Sequence, residues 1–236
     1  MASRGQKLTD ARAATISNSG RIGVSTALFE VESQTFSLAP GAALLRRFAL
    51  AKASALLTEV REIAARARFR YLITPGGFRM SVAMTNCGAV GWVSDRSGYR
   101  YARFDPETGR NWPPMPASFQ HVATAAAAVA GFSDYAPDVC LINCYGPGAR
   151  LSLHRDRNEL DDEAPIVSVS LGLPAIFLFG GLKRSERSSR VPLEHGDVVV
   201  WGGPARMRFH GVLPIADGHH PEVGEQRINL TFRTAL

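Results

Sequence analysis

Apolar and polar residues alternate with a period of two through much of the second half of the chain. In Leu151-Ser152-Leu153-His154 the leucines would face a core and the polar residues would face away, as in a strand with one buried side. From residue 138 onward we predict about eight short strands, a number typical of a sandwich or barrel, and a jelly roll is the natural candidate. The predicted strands cover residues 139–145, 149–156, 166–173, 176–179, 191–193, 198–201, 207–212 and 228–232.

The first half of the chain predicts two helices and a few strands. Apolar residues recur at helical spacing over residues 52–66, and residues 118–130 predict a second helix. Strands are expected at 42–48 and, after a Thr-Pro-Gly-Gly turn, at 78–85. Residues 1–35 lack sustained periodicity and predict a flexible leader. The fold class is therefore α+β, mainly β, with one structural domain in which residues 36–135 pack on a jelly-roll core at 136–236.

Two polar residues of the strand predicted at 149–156 are suited to hold a metal ion. His154 and Asp156 would project from the same side of that strand, about 7 Å apart along the chain. A second histidine would complete the facial triad of non-haem Fe(II) oxygenases, which leaves three coordination positions open. The pattern alone is weak, because a chain of this composition contains a His-x-Asp by chance roughly one time in four.

A rival His-x-Asp pattern stands at His195-Gly196-Asp197. Glycine in its centre and the apolar run that follows predict a turn leading into the strand at 198–201, with Asp197 bonded to the turn backbone. We therefore favour His154 and Asp156 as the metal ligands.

The last predicted strand carries polar residues on the face opposite Ile228, Leu230 and Phe232. Buried unpaired charge is costly, so this face requires either internal carboxylates or a bound dicarboxylate. The residues of the polar face are Arg227, Asn229, Thr231 and Arg233. A further histidine, His210, faces away from Met207 and Phe209 in the strand predicted at 207–212.

Composition adds two indications of function. A net charge of +6 would attract polyanions such as nucleic acid, although solubility alone could explain it. Trp92, Tyr99 and Tyr101 lie among glycines and could stack on an unpaired base or serve in a core. The arginines of residues 61–70 could likewise face phosphates or simply solvent.

The three cysteines, Cys87, Cys140 and Cys144, have no zinc-like spacing. They predict reduced thiols and a cytoplasmic location. The most apolar run, around residues 123–130, is too short to span a bilayer, so no membrane partner is expected.

Many of these motifs occur in an order that resembles a known family. The ordered blocks lie roughly between residues 42 and 234. They include Thr74-Pro75-Gly76-Gly77, Leu151-Ser152-Leu153-His154-x-Asp156 and the ending Arg227-x-Asn229-Leu230-Thr231-Phe232-Arg233. The chain resembles the AlkB family of Fe(II)/2-oxoglutarate-dependent nucleic-acid dioxygenases. The resemblance implies a double-stranded β-helix core, flanked by N-terminal helices and a nucleotide-recognition lid within residues 36–135.

The resemblance also implies a role for individual residues. Fe(II) would be held by His154, Asp156 and His210. The co-substrate 2-oxoglutarate would be bound by Asn143, Tyr145, Arg227, Asn229 and Arg233. Trp92 would stack on a flipped base, and the remaining substrate contacts would come from Tyr99, Tyr101, Asn158, Arg184, Thr74 and Met84. The other four histidines match no ligand position.

The implied reaction is oxidative demethylation of N-alkylated bases in DNA, a direct repair of 1-methyladenine and 3-methylcytosine type lesions. Consumption of O2 and 2-oxoglutarate at Fe(II) would hydroxylate the methyl group, which then leaves as formaldehyde. Since a base inside a duplex cannot reach the iron, the partner would be single-stranded DNA or duplex DNA with a flipped base. The protein is expected to be a monomer.

Three alternatives stay open at this stage. A dioxygenase of the same fold could act preferentially on RNA or on etheno adducts, or it could act on a protein. A jelly roll could also bind nucleic acid without catalysis, in which case Fe(II) and 2-oxoglutarate would not bind.

One position departs from the best-known bacterial members of the family. They carry an aspartate two residues after the iron-binding aspartate, where this chain has Asn158. A cationic lesion would favour a negative neighbour, and asparagine keeps the hydrogen-bonding shape without the charge. We therefore expect an altered lesion preference with the chemistry intact.

Overall fold

The computed structural model describes residues 34–236. The leader predicted at residues 1–35 falls outside the described residues up to position 33, whereas Gln34 and Thr35 belong to the first strand.

Within residues 34–236 the chain forms two α-helices and fourteen β-strands. The helices are α1 (Ala53–Arg66) and α2 (Ala117–Val129). The strands are β1 (Gln34–Ala39), β2 (Ala42–Arg46), β3 (Arg70–Ile73), β4 (Arg79–Gly88), β5 (Gly91–Asp95), β6 (Gly98–Ala102), β7 (Val139–Tyr145), β8 (Leu151–His154), β9 (Ile166–Gly172), β10 (Ala175–Phe179), β11 (Ser189–Leu193), β12 (Val198–Trp201), β13 (His210–Val212) and β14 (Arg227–Arg233).

Two antiparallel sheets build the jelly roll that the sequence predicts. The larger has the order β1-β2-β12-β9-β14-β7-β4-β3, and the smaller has the order β11-β10-β13-β8. Strands β5 and β6 form a separate two-stranded hairpin. Strands far apart in sequence become neighbours in these sheets. For example, β8 and β13 pair directly although more than fifty residues separate them.

The central strands β9 and β14 of the large sheet are buried on both faces. Ile228, Leu230 and Phe232 pack in a core that includes residues of α1 and α2. A second apolar cluster, which contains Met84, Phe177 and other residues of both sheets, fills part of the space between them. The polar residues of β14 therefore face the interior of the jelly roll, where the candidate site lies.

The helices pack as the periodicity predicts and within one residue of the expected bounds. Leu56, Val60 and Ile63 form the buried face of α1. Helix α2 buries small alanines together with Phe119, whose ring meets Phe232 edge to face at 5.8 Å. Within residues 34–236 neither helix has the length and apolar character that crossing a bilayer requires.

Three strand predictions need correction. The strand expected at 149–156 ends at His154, so Asp156 lies in the following loop. The strand expected at 207–212 begins only at His210, because Arg206 ends a short 3-10 turn and its guanidinium is held by the carbonyl of Ala164. The strand expected at 42–48 ends at Arg46, since Arg47 adopts a positive φ of 56°.

The three cysteines are free thiols, as the sequence predicts. Cys87 and Cys140 are opposite each other on β4 and β7 and are fully buried in the core, while Cys144 is half-buried.

Candidate active site

Two histidines and one aspartate meet where β8 ends and β13 begins. His154 and His210 are direct partners across this strand pair, and their ring centroids lie 4.5 Å apart. The Nε2 atom of His154 is 3.7 Å from one carboxylate oxygen of Asp156, and that of His210 is 4.0 Å from the other. One ligand atom from each residue lies within 4.8 Å of the others, so the three could hold a single metal ion.

Backbone hydrogen bonds orient both imidazoles towards the carboxylate. The Nδ1 atom of His154 donates to the carbonyl of Ser152 at 2.8 Å, and that of His210 donates to the carbonyl of Arg208 at 3.1 Å. Because a carbonyl can only accept, each ring carries a proton on Nδ1 and directs Nε2, the atom that a metal would bind, towards the carboxylate.

The electrostatics of the site suit a cation. Burial raises the pKa of the Asp156 carboxyl, but the guanidinium of Arg233 and the two imidazoles outweigh it and hold that pKa well below its usual range. Burial, together with the neighbouring His154, lowers the pKa of His210 to about 3. An ionised carboxylate and neutral imidazoles are the protonation states that metal binding needs. Two imidazoles and one carboxylate with open positions form the donor set of non-haem Fe(II).

A buried guanidinium with unpaired groups lies in the same cavity. Arg227 is 1% exposed, donates to the hydroxyl of Ser170 at 3.0 Å and lies over the ring of Tyr145 at 4.9 Å. Burial lowers the pKa of this arginine, and two of its three nitrogen atoms, Nε and Nη1, lack a hydrogen-bond partner within the described residues. Such a group requires an anionic ligand.

A group of hydrogen-bonded polar side chains lines the same cavity as Arg227 and Asp156. Asn143 and Asn229 are opposite each other on β7 and β14, and their side chains are hydrogen-bonded at 3.1 Å. The side-chain Oδ1 atom of Asn229, which accepts from the amide of Asn143, also accepts from the hydroxyl of Thr231 at 2.9 Å. The four polar residues of β14 line one cavity with Asp156 and His210, as the alternation predicts. The cavity therefore offers an unpaired cation and two of the possible metal ligands, a combination that suits a small keto-diacid such as 2-oxoglutarate.

The β5–β6 hairpin carries a stacked aromatic pair beside this cavity. The rings of Trp92 and Tyr99 lie 5.6 Å apart with planes 15° from parallel. Trp92 lines the cavity together with Met84, and the side-chain amide of Asn86 fixes its backbone through two hydrogen bonds of 3.0 Å. Tyr99 is 44% exposed, so one member of the pair lines the cavity and the other faces solvent.

The remaining predicted substrate residues are spread around this region. Asn158 donates to the carbonyl of Tyr99 at 3.4 Å, and Arg184 donates to the carbonyl of Leu153 at 2.6 Å. The hydroxyl of Tyr101 is bonded to Glu159. Thr74 is not among the residues that line the cavity, and its hydroxyl accepts a hydrogen bond from the backbone of Phe78 within the β3–β4 turn.

Several residues in and around the cavity were not predicted from the sequence. Trp201 packs against His210 at 4.9 Å between ring centroids, and its indole nitrogen has no partner within the described residues. Ser168 and Ser170 contact Asn229 and Arg227 from β9. Two serines spaced by two in an otherwise apolar strand are a pattern that could have identified the polar face of β9. Nothing in the sequence pattern marked Trp201.

The rival His-x-Asp pattern is structural, as the turn prediction stated. Asp197 is fully buried and accepts hydrogen bonds from the backbone of Glu194 and Arg47 and from the guanidinium of Arg46. His195 uses its Nδ1 atom to accept from the backbone of Gly172.

Comparison with known proteins agrees with this geometry. The profile of the 2OG-Fe(II) oxygenase superfamily matches residues 41–233. The chain is 57% identical over 198 residues to the alpha-ketoglutarate-dependent dioxygenase AlkB of Salmonella typhimurium, covering 84% of this chain and 92% of that protein. It is 33% identical over 132 residues to the human nucleic acid dioxygenase ALKBH1, covering 54% of this chain and 33% of that protein.

A solved structure described as the structure of OsALKBH1 superposes with a TM-score of 0.75 at 27% identity, covering 85% of this chain and all of that one. Alpha-ketoglutarate is the same compound as 2-oxoglutarate, the ligand that the cavity fits. The chain therefore belongs to the 2OG-Fe(II) oxygenase superfamily and, within it, to the AlkB family of dioxygenases that use Fe(II), 2-oxoglutarate and O2.

Proposed function

We propose that this dioxygenase demethylates N-alkylated bases in DNA and acts in direct repair of 1-methyladenine and 3-methylcytosine type lesions. The observation that carries the proposal is the position of the Trp92–Tyr99 pair, which borders the cavity that contains Asp156 and His210. Aromatic rings beside an oxidising site suit a planar, unpaired base. The printed name of human ALKBH1, a nucleic acid dioxygenase, supports the same substrate class.

Different residues of the chain would bind the metal ion and the co-substrate. His154, Asp156 and His210 would hold Fe(II), and Arg227 would pair with the distal carboxylate of 2-oxoglutarate through a bidentate fork. Bound Fe(II) and 2-oxoglutarate supply, with O2, the oxidising power that hydroxylates an N-methyl carbon. Arg233 keeps the Asp156 carboxylate ionised and fixed. The hydroxylated methyl group then leaves the base nitrogen as formaldehyde.

The base must leave its stack to reach this site. A duplex base cannot approach the triad, so we propose single-stranded DNA or duplex DNA with a flipped base as the substrate. The net charge of +6 would attract the phosphate backbone of DNA, so the affinity for DNA should fall as the salt concentration rises. Arg184, which is exposed and bonded to the carbonyl of Leu153, is suited to such a phosphate contact.

Asn158 is proposed to set the lesion preference. Its amide lies beside the backbone of Tyr99 at 3.4 Å, so it sits next to the aromatic pair that would hold the base. A neutral amide gives a cationic base such as 1-methyladenine less electrostatic stabilisation than a carboxylate would. We therefore propose a smaller advantage of cationic lesions over neutral etheno adducts than an aspartate would give.

Matched oligonucleotides test the substrate class. Formaldehyde release should be measured with 1-methyladenine in DNA, the same lesion in RNA, an etheno adduct and an unmodified strand, each with wild-type protein and with His154→Ala. The proposal predicts release from methylated DNA and none from the unmodified strand or the variant. A clear preference for RNA or etheno adducts would favour those alternatives, and 2-oxoglutarate turnover with none of these strands would favour a protein substrate.

We also propose that the enzyme works as a monomer in the cytoplasm. The three free thiols support a reducing compartment. Sedimentation at micromolar concentration would test the oligomeric state.

A further inference from the structure

Glu159 is a buried carboxylate three residues after Asp156, in the loop between β8 and β9. Its side chain is 3% exposed, and one of its oxygens lies 3.0 Å from the guanidinium of Arg206. The other oxygen lies 3.4 Å from the Nε atom of Arg233. Two guanidinium groups compensate the charge, which makes burial of this carboxylate possible.

The third partner of Glu159 comes from a different part of the fold. The hydroxyl of Tyr101 donates to the Oε1 atom of Glu159 at 2.5 Å. Tyr101 lies on β6, which pairs with β5 and belongs to neither of the two main sheets. Strand β5 is fixed through Asn86 and through a hydrogen bond from Ser94 to the carbonyl of Ile73. On the β6 side, the bond from Tyr101 to Glu159 ties the hairpin to the loop that carries Asp156.

Both arginines that contact Glu159 also fix Asp156. Arg233 places its Nη2 atom 2.6 Å from the Asp156 carboxylate. Arg206, which is 1% exposed, donates to the backbone carbonyl of Asp156 at 3.2 Å and to that of Ala164 at 3.0 Å. Glu159 therefore contacts Tyr101 of the hairpin and also the guanidiniums of Arg206 and Arg233. These two guanidiniums hold Asp156 in place.

We propose that Glu159 is a positioning residue that couples closure of the β5–β6 hairpin to the alignment of Asp156. The carboxylate holds the hairpin closed through Tyr101 and keeps Arg233 in register with the metal ligand. The hairpin that carries the aromatic pair and the carboxylate that would hold the metal are then linked through Glu159. The inference rests on the proposed function for the role of the hairpin in base binding, whereas the contact itself does not depend on the substrate.

Replacing Tyr101 with phenylalanine removes only the hydroxyl of this contact. Hydrogen bonds to charged groups are the strong ones, so amide exchange in residues 91–102 of the free protein should become roughly tenfold faster. Tyr71→Phe is the matched control, since Tyr71 is a half-exposed tyrosine on β3 with no hydrogen bond from its hydroxyl to the described residues. A Tyr101 hydroxyl that contacted only the nucleotide would leave exchange in the free protein unchanged.

Variants of Glu159 separate the hydrogen bond from the charge. Glu159→Gln keeps an oxygen that accepts from Tyr101, so hairpin exchange should stay close to wild type. Glu159→Ala removes the acceptor and should raise exchange as Tyr101→Phe does. Because the alanine variant leaves the buried guanidinium of Arg206 without a carboxylate partner and can fail to fold, Tyr101→Phe is the decisive variant.

The KM and kcat for a methylated oligonucleotide distinguish this role from a purely structural contact, whose loss would leave both unchanged. Tyr101→Phe should raise the KM for a methylated oligonucleotide roughly tenfold and raise it more than it lowers kcat, since the hairpin would close at a cost in binding. Unchanged exchange in Tyr101→Phe overturns the contact, and an unchanged KM overturns the role of the hairpin in base binding. Faster exchange with an unchanged affinity of the metal-free protein for Mn(II) overturns the coupling to Asp156. The exchange experiment needs neither metal nor substrate, so it tests the contact between Tyr101 and Glu159 even if methylated DNA proves not to be the substrate.

Discussion

The guanidinium of Arg233 lies 2.6 Å from the carboxylate of Asp156, one of the three residues that could hold the metal. The same guanidinium lies within 3.4 Å of Glu159, so one buried cation serves two carboxylates. The pKa of Arg233 is raised well above its usual value, because its anionic neighbours outweigh the effect of burial. This arrangement keeps Asp156 ionised in a buried site and leaves its oxygens directed at the two imidazoles.

Loss of this arginine should weaken metal binding. In Arg233→Gln the Asp156 carboxylate loses its cationic partner and its fixed orientation, and affinity for Mn(II), a redox-stable substitute for Fe(II), should fall roughly 10- to 100-fold. Titration of the metal-free protein by calorimetry measures the change. Arg100→Gln, which breaks only the exposed pair with Asp95, is the control and should leave affinity unaltered. Equal affinity in Arg233→Gln and wild type would contradict the assigned role.

Two buried arginines should respond in opposite ways to replacement by methionine. Arg227 lacks a carboxylate partner, so Arg227→Met should weaken 2-oxoglutarate binding roughly 100-fold and leave the free energy of unfolding equal or higher. Arg206 is paired with Glu159 and two carbonyls, so Arg206→Met should cost about 3–5 kcal/mol of stability. Urea unfolding without ligand and 2-oxoglutarate titration measure both. Strong destabilisation by Arg227→Met would show that this cation is compensated without its ligand.

A pH-dependent contribution to stability is expected from the pair of Arg70 and Asp105. The two side chains form a fork with distances of 2.5 and 2.8 Å, and the hydrogen bond from Arg70 holds the pKa of the Asp105 carboxyl below its usual value against the effect of burial. A lowered folded-state pKa contributes stability above the unfolded-state pKa, and this stability disappears as the pH falls through the folded value. Asp105→Asn should therefore lose about 2 kcal/mol at neutral pH.

Unfolding curves of wild type and Asp105→Asn at several pH values test this sign. The difference in unfolding free energy should be largest at neutral pH and should shrink below about pH 4, where the unfolded carboxyl is protonated. A difference that grows towards acid would contradict the account.

Asn158→Asp tests the lesion preference. The variant should raise the ratio of kcat/KM for 1-methyladenine to that for a neutral etheno adduct, by roughly tenfold for a partly exposed charge pair. Asn158→Ala is the control for loss of the amide without added charge. An unchanged ratio would remove Asn158 from the determinants of specificity.

Alternation and local motifs predicted the β14 face and the rival turn at Asp197, because each depends on residues close in sequence. They did not predict that β8 would end before Asp156, since the loop is held by Arg206 from fifty residues away. The resemblance to the AlkB family led us to expect a recognition lid within residues 36–135, whereas strands β5 and β6, short and rich in glycine, have no clear period-two pattern. The contact between Tyr101 and Glu159 joins residues 58 positions apart and leaves no periodic signature.

The proposed demethylation is tested most directly by the yield of succinate and formaldehyde from one reaction of wild-type protein with Fe(II), 2-oxoglutarate, O2 and 1-methyladenine DNA. We expect equal amounts of both products, and neither product with His154→Ala. Binding of Fe(II) and 2-oxoglutarate without formaldehyde from any methylated nucleic acid would contradict the proposal.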